Sequence, residues 1–444
     1  MEFSNLFFLY LFLPLCVGIY FLAPGMKLKN GVLILFSILF YSIGRPGYVP
    51  VLLALSILNY FLPKWVGPRW LVLIFTMTVD VGILLLFKIQ NHFAFPMGLS
   101  FYCFSLIAYQ VDVFRHPDQK AGSFWKFLLF VSFFPKILMG PILRYSQMSE
   151  QFENRKAEPK EIFEGALRFA LGLGKKILLA DPLYRVYEQL NTHSSWLAGW
   201  GAGLAFMLYI YLEFSGYADM TLGLGRVFGF RLPENFRRPY TAASVGEFWR
   251  RWHITLGTFF RDYVYIPLGG NRKGLARQLV HLLLVWLLTG LWHGFTWTFV
   301  VWGMYFFLLL SGEKLFGVLG VRLPRVFGRA VTFVLVYFGW VIFAAEDLLS
   351  LWDNIVRMFT FSATGIEPTV LVLYNSGLLI VTGVIISVFG PIWKDKMKIW
   401  ADNCCQSNQK WIVFGQSLLI CVLLILCTLS LMGAAARPSM YGTF

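Results

Sequence analysis

Long apolar runs recur along nearly the whole chain and are separated by short polar breaks. A helix needs about 20 apolar residues to cross the ~30 Å hydrocarbon core of a bilayer, and several runs approach or reach that length. The pattern predicts an all-α, polytopic membrane protein with roughly ten to twelve membrane-embedded segments, a few of them re-entrant or half-buried. The clearest runs are residues 6–22, 71–87, 204–214, 278–291, 300–310, 370–388 and 411–431.

Polar stretches divide the chain into three parts of one membrane domain, residues 1–444. Residues 1–143 are predicted to form a first helical group, and residues 166–444 to hold the remaining spans. The intervening residues 144–165 are rich in charge, so we expect a loop and surface helix there. We expect the first apolar segment to remain uncleaved, because it lacks a basic leader and a small-residue cleavage pattern. Lys27 and Lys29 follow it, which favours an outside N-terminus.

Composition agrees with this pattern, since 58% of the 444 residues are hydrophobic and 14% are charged, against roughly 25% charged in soluble domains. The net charge of +15 is therefore assigned to cytoplasmic loops facing anionic lipid rather than to a nucleic-acid partner. The six cysteines show neither a disulfide framework nor a metal-binding spacing. Positive charge is concentrated in ten residues: Arg226, Arg231, Arg237, Arg238, Arg250, Arg251, Arg261, Arg272, Lys273 and Arg277.

A helix is predicted within this basic region at residues 245–263. Ser244 followed three residues later by Glu247 makes a capping box. Helical spacing would place Trp249 and His253 on one face and Arg250 on another. Proline and glycines in residues 265–274 then predict a tight turn that carries two more cations.

His293 is the sharpest candidate for chemistry. It is an ionisable residue within an apolar run, where a charge costs roughly 2–3 kcal/mol, and such a residue is by default a functional hypothesis. Gly290 and Gly294 flank it at a spacing that lets another backbone or a substrate chain come close. A neutral imidazole could serve as a general base near pH 7. The alternative is a histidine that only forms a hydrogen bond between helices.

The second histidine and the cations have two interpretations each. His253 is either a structural residue at the membrane interface or a partner of His293. The basic residues are either ordinary cytoplasmic loop residues or a cradle for the phosphates of a ligand. The chain has no P-loop, zinc-protease, serine-esterase or dinucleotide motif. The candidate cradle consists of Arg250, Arg251, Arg261, Arg272 and Lys273.

Four ordered motifs resemble the membrane-bound O-acyltransferase family, in its alginate and polysaccharide O-acetyltransferase branch. They are RRPY at 237–240, EFWRRWHITL at 247–256, RDYVYIPLGGNR at 261–272 and TGLWHG at 289–294. The resemblance implies a ring of helices around a thin central funnel. It places the active-site histidine of the family at His293 and the second motif histidine at His253. Residues expected to line the cavity are Trp249, Trp252, Asp262, Tyr265, Asn271 and Trp292.

The resemblance also implies a reaction. A cytoplasmic thioester, acetyl-CoA or an acyl carrier protein, would donate an acyl group, with no permanently bound cofactor or metal. The acetyl group would cross the bacterial cytoplasmic membrane to an extracytoplasmic partner acyltransferase, which would modify an alginate-like polysaccharide or a cell-wall glycan. D-alanyl transfer to teichoic acid from a carrier protein is an alternative. A transporter of polysaccharide or lipid-linked sugar, using the same intramembrane histidine and basic loops, is an alternative of another class.

Overall fold

The structure is a computed structural model that describes residues 1–44, 46–65, 67–90, 95–320, 324–362, 364–390 and 406–433. The described residues form helices joined by short turns and contain no β-strand. Helices satisfy their own backbone hydrogen bonds, as a chain in lipid requires. The prediction of an all-α fold is therefore confirmed. The adjacent pair Cys404 and Cys405 lies outside the described residues.

Two compact units account for the chain, and the first comprises residues 1–173, 217–234 and 423–444. In this unit Arg168 binds two carboxylates, with its Nε 2.8 Å from Oδ1 of Asp219 and its Nη2 2.6 Å from Oε2 of Glu234. The polar segment 144–165 forms two short helices and the beginning of a third. The helices of this part of the chain are α1 (Phe8–Leu22), α2 (Gly25–Gly44), α3 (Val49–Phe61), α4 (Arg69–Ile89), α5 (Leu99–Arg115), α6 (Phe124–Ser132), α7 (Phe134–Ile137), α8 (Tyr145–Ser149), α9 (Gln151–Asn154) and α10 (Pro159–Gly174).

The second unit comprises residues 174–216 and 235–422 and contains both candidate histidines. Helix α12 ends within the first unit, and the last helix of the chain divides between the two units at residue 423. The helices in this part of the chain are α11 (Asp181–Asn191), α12 (Trp196–Val227), α13 (Val245–Arg251), α14 (Ile254–Phe260), α15 (Leu275–His293), α16 (Trp297–Val318), α17 (Arg325–Ala344), α18 (Leu348–Phe359), α19 (Ile366–Val388) and α20 (Gln406–Gly433).

Nine helices of the described residues are long and apolar enough to cross a membrane. The shorter apolar helix α1 adds a tenth membrane-embedded segment. This count stands at the lower end of the roughly ten to twelve segments that the apolar runs predict. The nine are Gly25–Ile43, Pro46–Lys64, Arg69–Ile89, Trp196–Val227, Leu275–His293, Trp297–Val318, Arg325–Ala344, Ile366–Val388 and Lys410–Gly433.

Helices α15 and α16 approach each other closely at two glycines. A Cβ atom on Gly290 would lie 2.4 Å from the carbonyl oxygen of Phe299, and one on Gly303 would lie 2.5 Å from that of Trp286. Only glycine leaves room for backbones at this separation. The expectation that Gly290 admits a second backbone is thus met by α16, and Gly294 lies against the ring of Phe299. This contact sets the height of His293 beside α16.

The single helix predicted over residues 245–263 is wrong, because the chain breaks at Trp252 and His253. Helix α13 ends where the backbone N–H of Trp252 donates to the carbonyl oxygen of Phe248, at 2.8 Å. His253 has a φ of 43°, in the left-handed region, and α14 begins after it. The faces that the continuous helix would have shared across the break therefore do not exist. The capping box at the start of α13 is confirmed, since Ser244 Oγ accepts from the N–H of Glu247 at 3.1 Å.

Asn235 causes the break from outside the helix. Its backbone oxygen accepts from the N–H of Ile254 at 2.9 Å. Its side-chain oxygen accepts from the backbone N–H of Thr255 at 3.1 Å. These are donors of the first turn of a helix, which have no partner within it. A fully buried residue in another segment thus caps α14 and fixes the turn that carries His253.

Candidate active site

His293 is the last residue of α15 and is buried, with 8% of its surface exposed. Its ring lies 4.9 Å from that of Phe343 on α17 and 5.0 Å from that of Trp302 on α16, measured between centroids. The ring of Phe299 lies 5.8 Å away. Three helices therefore bring aromatic side chains to one imidazole. Such an environment excludes water and favours the neutral form of a base.

His253 projects from the turn between α13 and α14 and is also buried. Its ring lies 6.1 Å from Phe236, 6.5 Å from Phe214 and 6.4 Å from Trp292. The indole of Trp292 lies 4.5 Å from His293, so it contacts both histidines. His253 lies outside the nine candidate spans, and burial lowers its pKa to about 4, so its imidazole is neutral near pH 7.

A continuous row of aromatic rings leads from His293 to the loop before α13. The rings of Phe343 and Trp340 are 5.7 Å apart, and those of Trp340 and Trp252 are 4.7 Å apart. Trp252 in turn lies 6.2 Å from Tyr240, whose hydroxyl donates to the carbonyl oxygen of Met207 at 2.6 Å. We call these five residues, from His293 to Tyr240, the aromatic wall. Only Trp252 and His293 of this wall were anticipated from the sequence.

Two indole N–H groups are buried close to the histidines. Trp249 packs on Trp286 at 4.7 Å and on Trp302 at 5.7 Å. The Nε1 atoms of Trp249 and Trp302 find no hydrogen-bond partner within the described part of the chain. Such donors can stabilise negative charge that develops on a reacting oxygen. Sequence reasoning missed Trp302 because it sits inside an ordinary apolar run, where its single polar atom leaves no signal.

The remaining residues expected to line the cavity lie in the segment after α14. Asp262 is paired with Arg261, whose Nε is 2.7 Å from its Oδ1. The ring of Tyr265 lies 6.3 Å from that of His281, and its hydroxyl accepts from Gln278. Asn271 is exposed in the turn that follows. The structure records none of these three beside the aromatic rings around His293.

The predicted phosphate cradle is also distributed over several places. Arg261, Arg272 and Lys273 are exposed on or after the π-helical turn Arg261–Tyr265. Arg250 is exposed on α13. Arg251 is half-buried, donates to Thr241 Oγ1 at 3.0 Å and is paired with Glu247. Of the five predicted residues, Arg251 alone lines a pocket.

That pocket has a volume of about 380 Å³ and is lined largely by arginines. Arg325 and Arg329 come from the first turns of α17, where sequence reasoning did not look for ligand contacts. Because the chain between α16 and α17 is simply basic, it reads as an ordinary cytoplasmic loop. The lining residues are Arg238, Tyr240, Thr241, Arg251, Arg325, Arg329, Val388 and Phe389.

Comparison with known proteins identifies the family. The model of the membrane-bound O-acyltransferase family matches residues 85–351, more than half of the chain and both histidines. A probable alginate O-acetylase of Pseudomonas fluorescens is 40% identical over 81% of this chain and 76% of its own length. A peptidoglycan O-acetyltransferase of Helicobacter pylori is 31% identical over 78% of each chain. A teichoic acid D-alanyltransferase of Bacillus subtilis is 26% identical over 56% of this chain and 69% of its own length. The histidine at the end of α15, the broken helix that carries the second histidine and the multi-pass helical architecture are thus those of an O-acyltransferase, and the chain belongs to the membrane-bound O-acyltransferase family.

Proposed function

We propose that this enzyme takes an acetyl group from a cytoplasmic thioester and delivers it across the membrane for O-acetylation of an extracytoplasmic polysaccharide. The observation that carries the proposal is the burial of His293 at the meeting of α15, α16 and α17. A base placed inside the membrane can serve a donor from one side and an acceptor from the other. The extensive similarity to proteins named for O-acetylation supports acetyl as the transferred group.

In the proposed reaction His293 acts as a general base. The neutral imidazole removes the proton of an acceptor hydroxyl while the hydroxyl oxygen attacks the thioester carbonyl. The new C–O ester bond forms as the C–S bond breaks, and the departing thiolate takes the proton back from the imidazolium. General-base catalysis of this kind contributes typically 10²–10⁴-fold to the rate.

The carbonyl oxygen becomes negatively charged during this attack and needs hydrogen-bond donors. The indole N–H of Trp302 is buried, and its ring contacts His293 at 5.0 Å. His253 is the second candidate, since its ring contacts the same Trp292 that touches His293. Donors held in place before the reaction are most effective where water is excluded. The aromatic wall supplies that exclusion.

The acceptor side of the proposal rests on the relatives and on chemistry. An alginate-like polymer or a cell-wall glycan offers the hydroxyl groups that such an ester needs, and a partner acyltransferase outside the cytoplasmic membrane would complete the transfer. The donor is acetyl-CoA or an acyl carrier protein, with no permanently bound cofactor. Membership of an acyltransferase family favours catalysis over the transporter hypothesis. The D-alanyltransferase relative matches a smaller part of the chain than the O-acetyltransferases do.

The test is thioester turnover by the purified chain in detergent, where there are no two compartments. Radiolabelled acetyl-CoA is supplied with an oligosaccharide acceptor, and transfer or release of acetate is measured. We expect turnover by the natural sequence and a loss of at least about 10²-fold for His293→Ala. His116→Ala, at an exposed position, is the matched histidine control and should keep full activity.

Two results would contradict the proposal. Near-normal turnover by a folded His293→Ala variant would remove the general base. Turnover with a D-alanyl carrier thioester but with no acetyl donor would favour the D-alanyl reaction instead. A melting curve in detergent for each variant separates loss of chemistry from loss of fold.

A further inference from the structure

We propose that the arginine pocket, defined by Arg238, Arg251, Arg325 and Arg329, binds the phosphate of the thioester donor and thereby positions the thioester at His293. This inference rests on the proposed function and assigns the donor phosphate to residues outside the basic turn at 265–274. Three segments build the pocket: the loop before α13, α13 itself and the start of α17. The remaining lining is aromatic, aliphatic or hydroxyl.

The charge of the pocket suits a phosphate ester. Its eight described lining residues include four arginines and no carboxylate. Glu247 lies beside them: burial would raise its pKa, but the N–H of Ala243 and the nearby guanidinium groups of Arg251 and Arg325 outweigh burial and lower it. Glu247 is therefore ionised and neutralises one of the cations. Guanidinium groups bind phosphate oxygens in pairs, with charge-assisted hydrogen bonds.

The loop that carries Arg238 is held in a strained conformation. Arg238 has a φ of 53° and precedes Pro239, and both conditions are unfavourable for an arginine. Its carbonyl oxygen accepts from Thr241 Oγ1 at 2.9 Å and from Arg251 at 3.3 Å. The N–H of Arg237 donates to the carbonyl oxygen of Arg251 at 2.9 Å. Such strain persists where surrounding contacts impose it, and it is concentrated at binding sites.

Helix α17 reaches this loop through a glycine. A Cβ atom on Gly328 would lie 2.6 Å from the carbonyl oxygen of Ala243, so a larger residue would push the helix away. Arg325 and Arg329 lie four residues apart and therefore share one face of α17. The close approach at Gly328 places that face at the loop of Arg238.

The aromatic wall connects this pocket to His293. Tyr240 lines the pocket and is the outermost residue of the wall, and Phe343 contacts the imidazole. Arg329 and Phe343 are fourteen residues apart on α17, which corresponds to about 21 Å along the helix. A phosphopantetheine arm has about thirteen bonds between phosphorus and sulfur and spans on the order of 15 Å when extended. With its phosphate among the arginine side chains, the arm reaches along the wall to the general base.

The experiment removes two charges and compares donors that differ only in phosphate. Arg325→Gln and Arg329→Gln are combined, since both positions are exposed and the helix is kept. Kinetics are measured for the full chain in detergent with acetyl-CoA, S-acetyl-4′-phosphopantetheine and S-acetyl-pantetheine. We expect KM for the two phosphorylated donors to rise about 10- to 100-fold, with kcat within about twofold. With S-acetyl-pantetheine, which lacks phosphate, the variant and the natural sequence should have the same KM.

The control removes two exposed arginines elsewhere, in the combination Arg231→Gln and Arg277→Gln, and should leave every KM unchanged. An equal rise in KM for all three donors would overturn the proposal, since the effect would not depend on phosphate. Unchanged KM values in the Arg325→Gln and Arg329→Gln variant, with loss of co-purified phosphatidylglycerol, would assign the pocket to a lipid headgroup instead.

Failure of the proposed function is recognised separately. If the natural sequence turns over no thioester, equilibrium binding of labelled coenzyme A still tests the pocket, in nanodiscs of phosphatidylcholine with and without phosphatidylglycerol. Binding that weakens about 10- to 100-fold in the double variant, in both lipid compositions, supports the phosphate site. Binding that is equal in both proteins contradicts it.

Discussion

The side-chain oxygen of Asn235 accepts both the backbone N–H and the hydroxyl of Thr255, at 3.1 and 3.0 Å. Twenty residues separate them in the chain. Through this contact the first turn of α14 is capped and His253 is held in the left-handed region. The position of the second histidine therefore depends on a residue that has no catalytic chemistry of its own.

Asn235→Ala should loosen this turn. The substitution leaves buried donors of α14 without an acceptor, which costs about 1–3 kcal/mol, and it releases the conformation of His253. We expect a lower melting temperature in detergent and a lower kcat. Thr255→Val, which removes the hydroxyl and keeps the backbone bond, is the matched control and should have a smaller effect on both. Equal melting temperatures for Asn235→Ala and the natural sequence would contradict the capping role.

Substitutions of His253 should separate backbone strain from chemistry. At a φ of 43° a β-branched residue is strained, whereas asparagine visits this region readily. We expect His253→Val to lower stability by about 1–2 kcal/mol and His253→Asn to remain folded. If the imidazole also stabilises the oxyanion, His253→Asn will lower kcat while its melting curve stays close to that of the natural sequence. Unchanged kcat in that variant assigns His253 a structural role only.

Trp302→Phe should test the proposed oxyanion donor. The substitution keeps an aromatic ring beside His293 and removes the buried indole N–H. Loss of one such donor typically costs 10²–10³-fold in kcat, and we expect a fall of about that size with little change in KM. Trp352→Phe, at a position that is 65% exposed on α18, is the control. A kcat that remains within a few-fold would exclude Trp302 as the donor.

Gly303→Ala should displace α16 from α15. The added methyl group would meet the carbonyl oxygen of Trp286 at 2.5 Å, and overpacking of this kind costs about 1–3 kcal/mol. Since α15 carries His293 and α16 carries Trp302, we expect reduced activity together with reduced stability. Gly312→Ala lies on the same helix with nothing within 4 Å of the new atom. Both variants behaving alike would show that helix propensity, rather than close approach, decides the effect.

Much of the fold could be predicted because lipid imposes a simple pattern. The apolar runs at 278–291 and 300–310 fall within α15 and α16, and the cap at Ser244 needs only residues close in sequence. His293 stands out for the same reason, since an ionisable residue in an apolar run is rare.

The features that sequence reasoning missed depend on distant contacts. The break at His253 is imposed by Asn235, so no local pattern within residues 245–263 could reveal it. Trp302 and Phe343 look like ordinary apolar residues of their helices until folding brings them to His293. The partners of Arg238 and Arg251 in the pocket come from α17, more than seventy residues further along the chain.

The division of residues 245–265 into separate helices makes the two sides of the site mechanically independent. In one continuous helix, a single inserted residue near Arg250 would turn every later side chain by about 100°, and His253 would leave Trp292. Here α14 takes its register from Asn235, so α13 can lengthen, shorten or rotate while the imidazole keeps its direction. Variants that adapt the donor side of the enzyme to a different thioester can therefore be made on α13 without rebuilding the acceptor side.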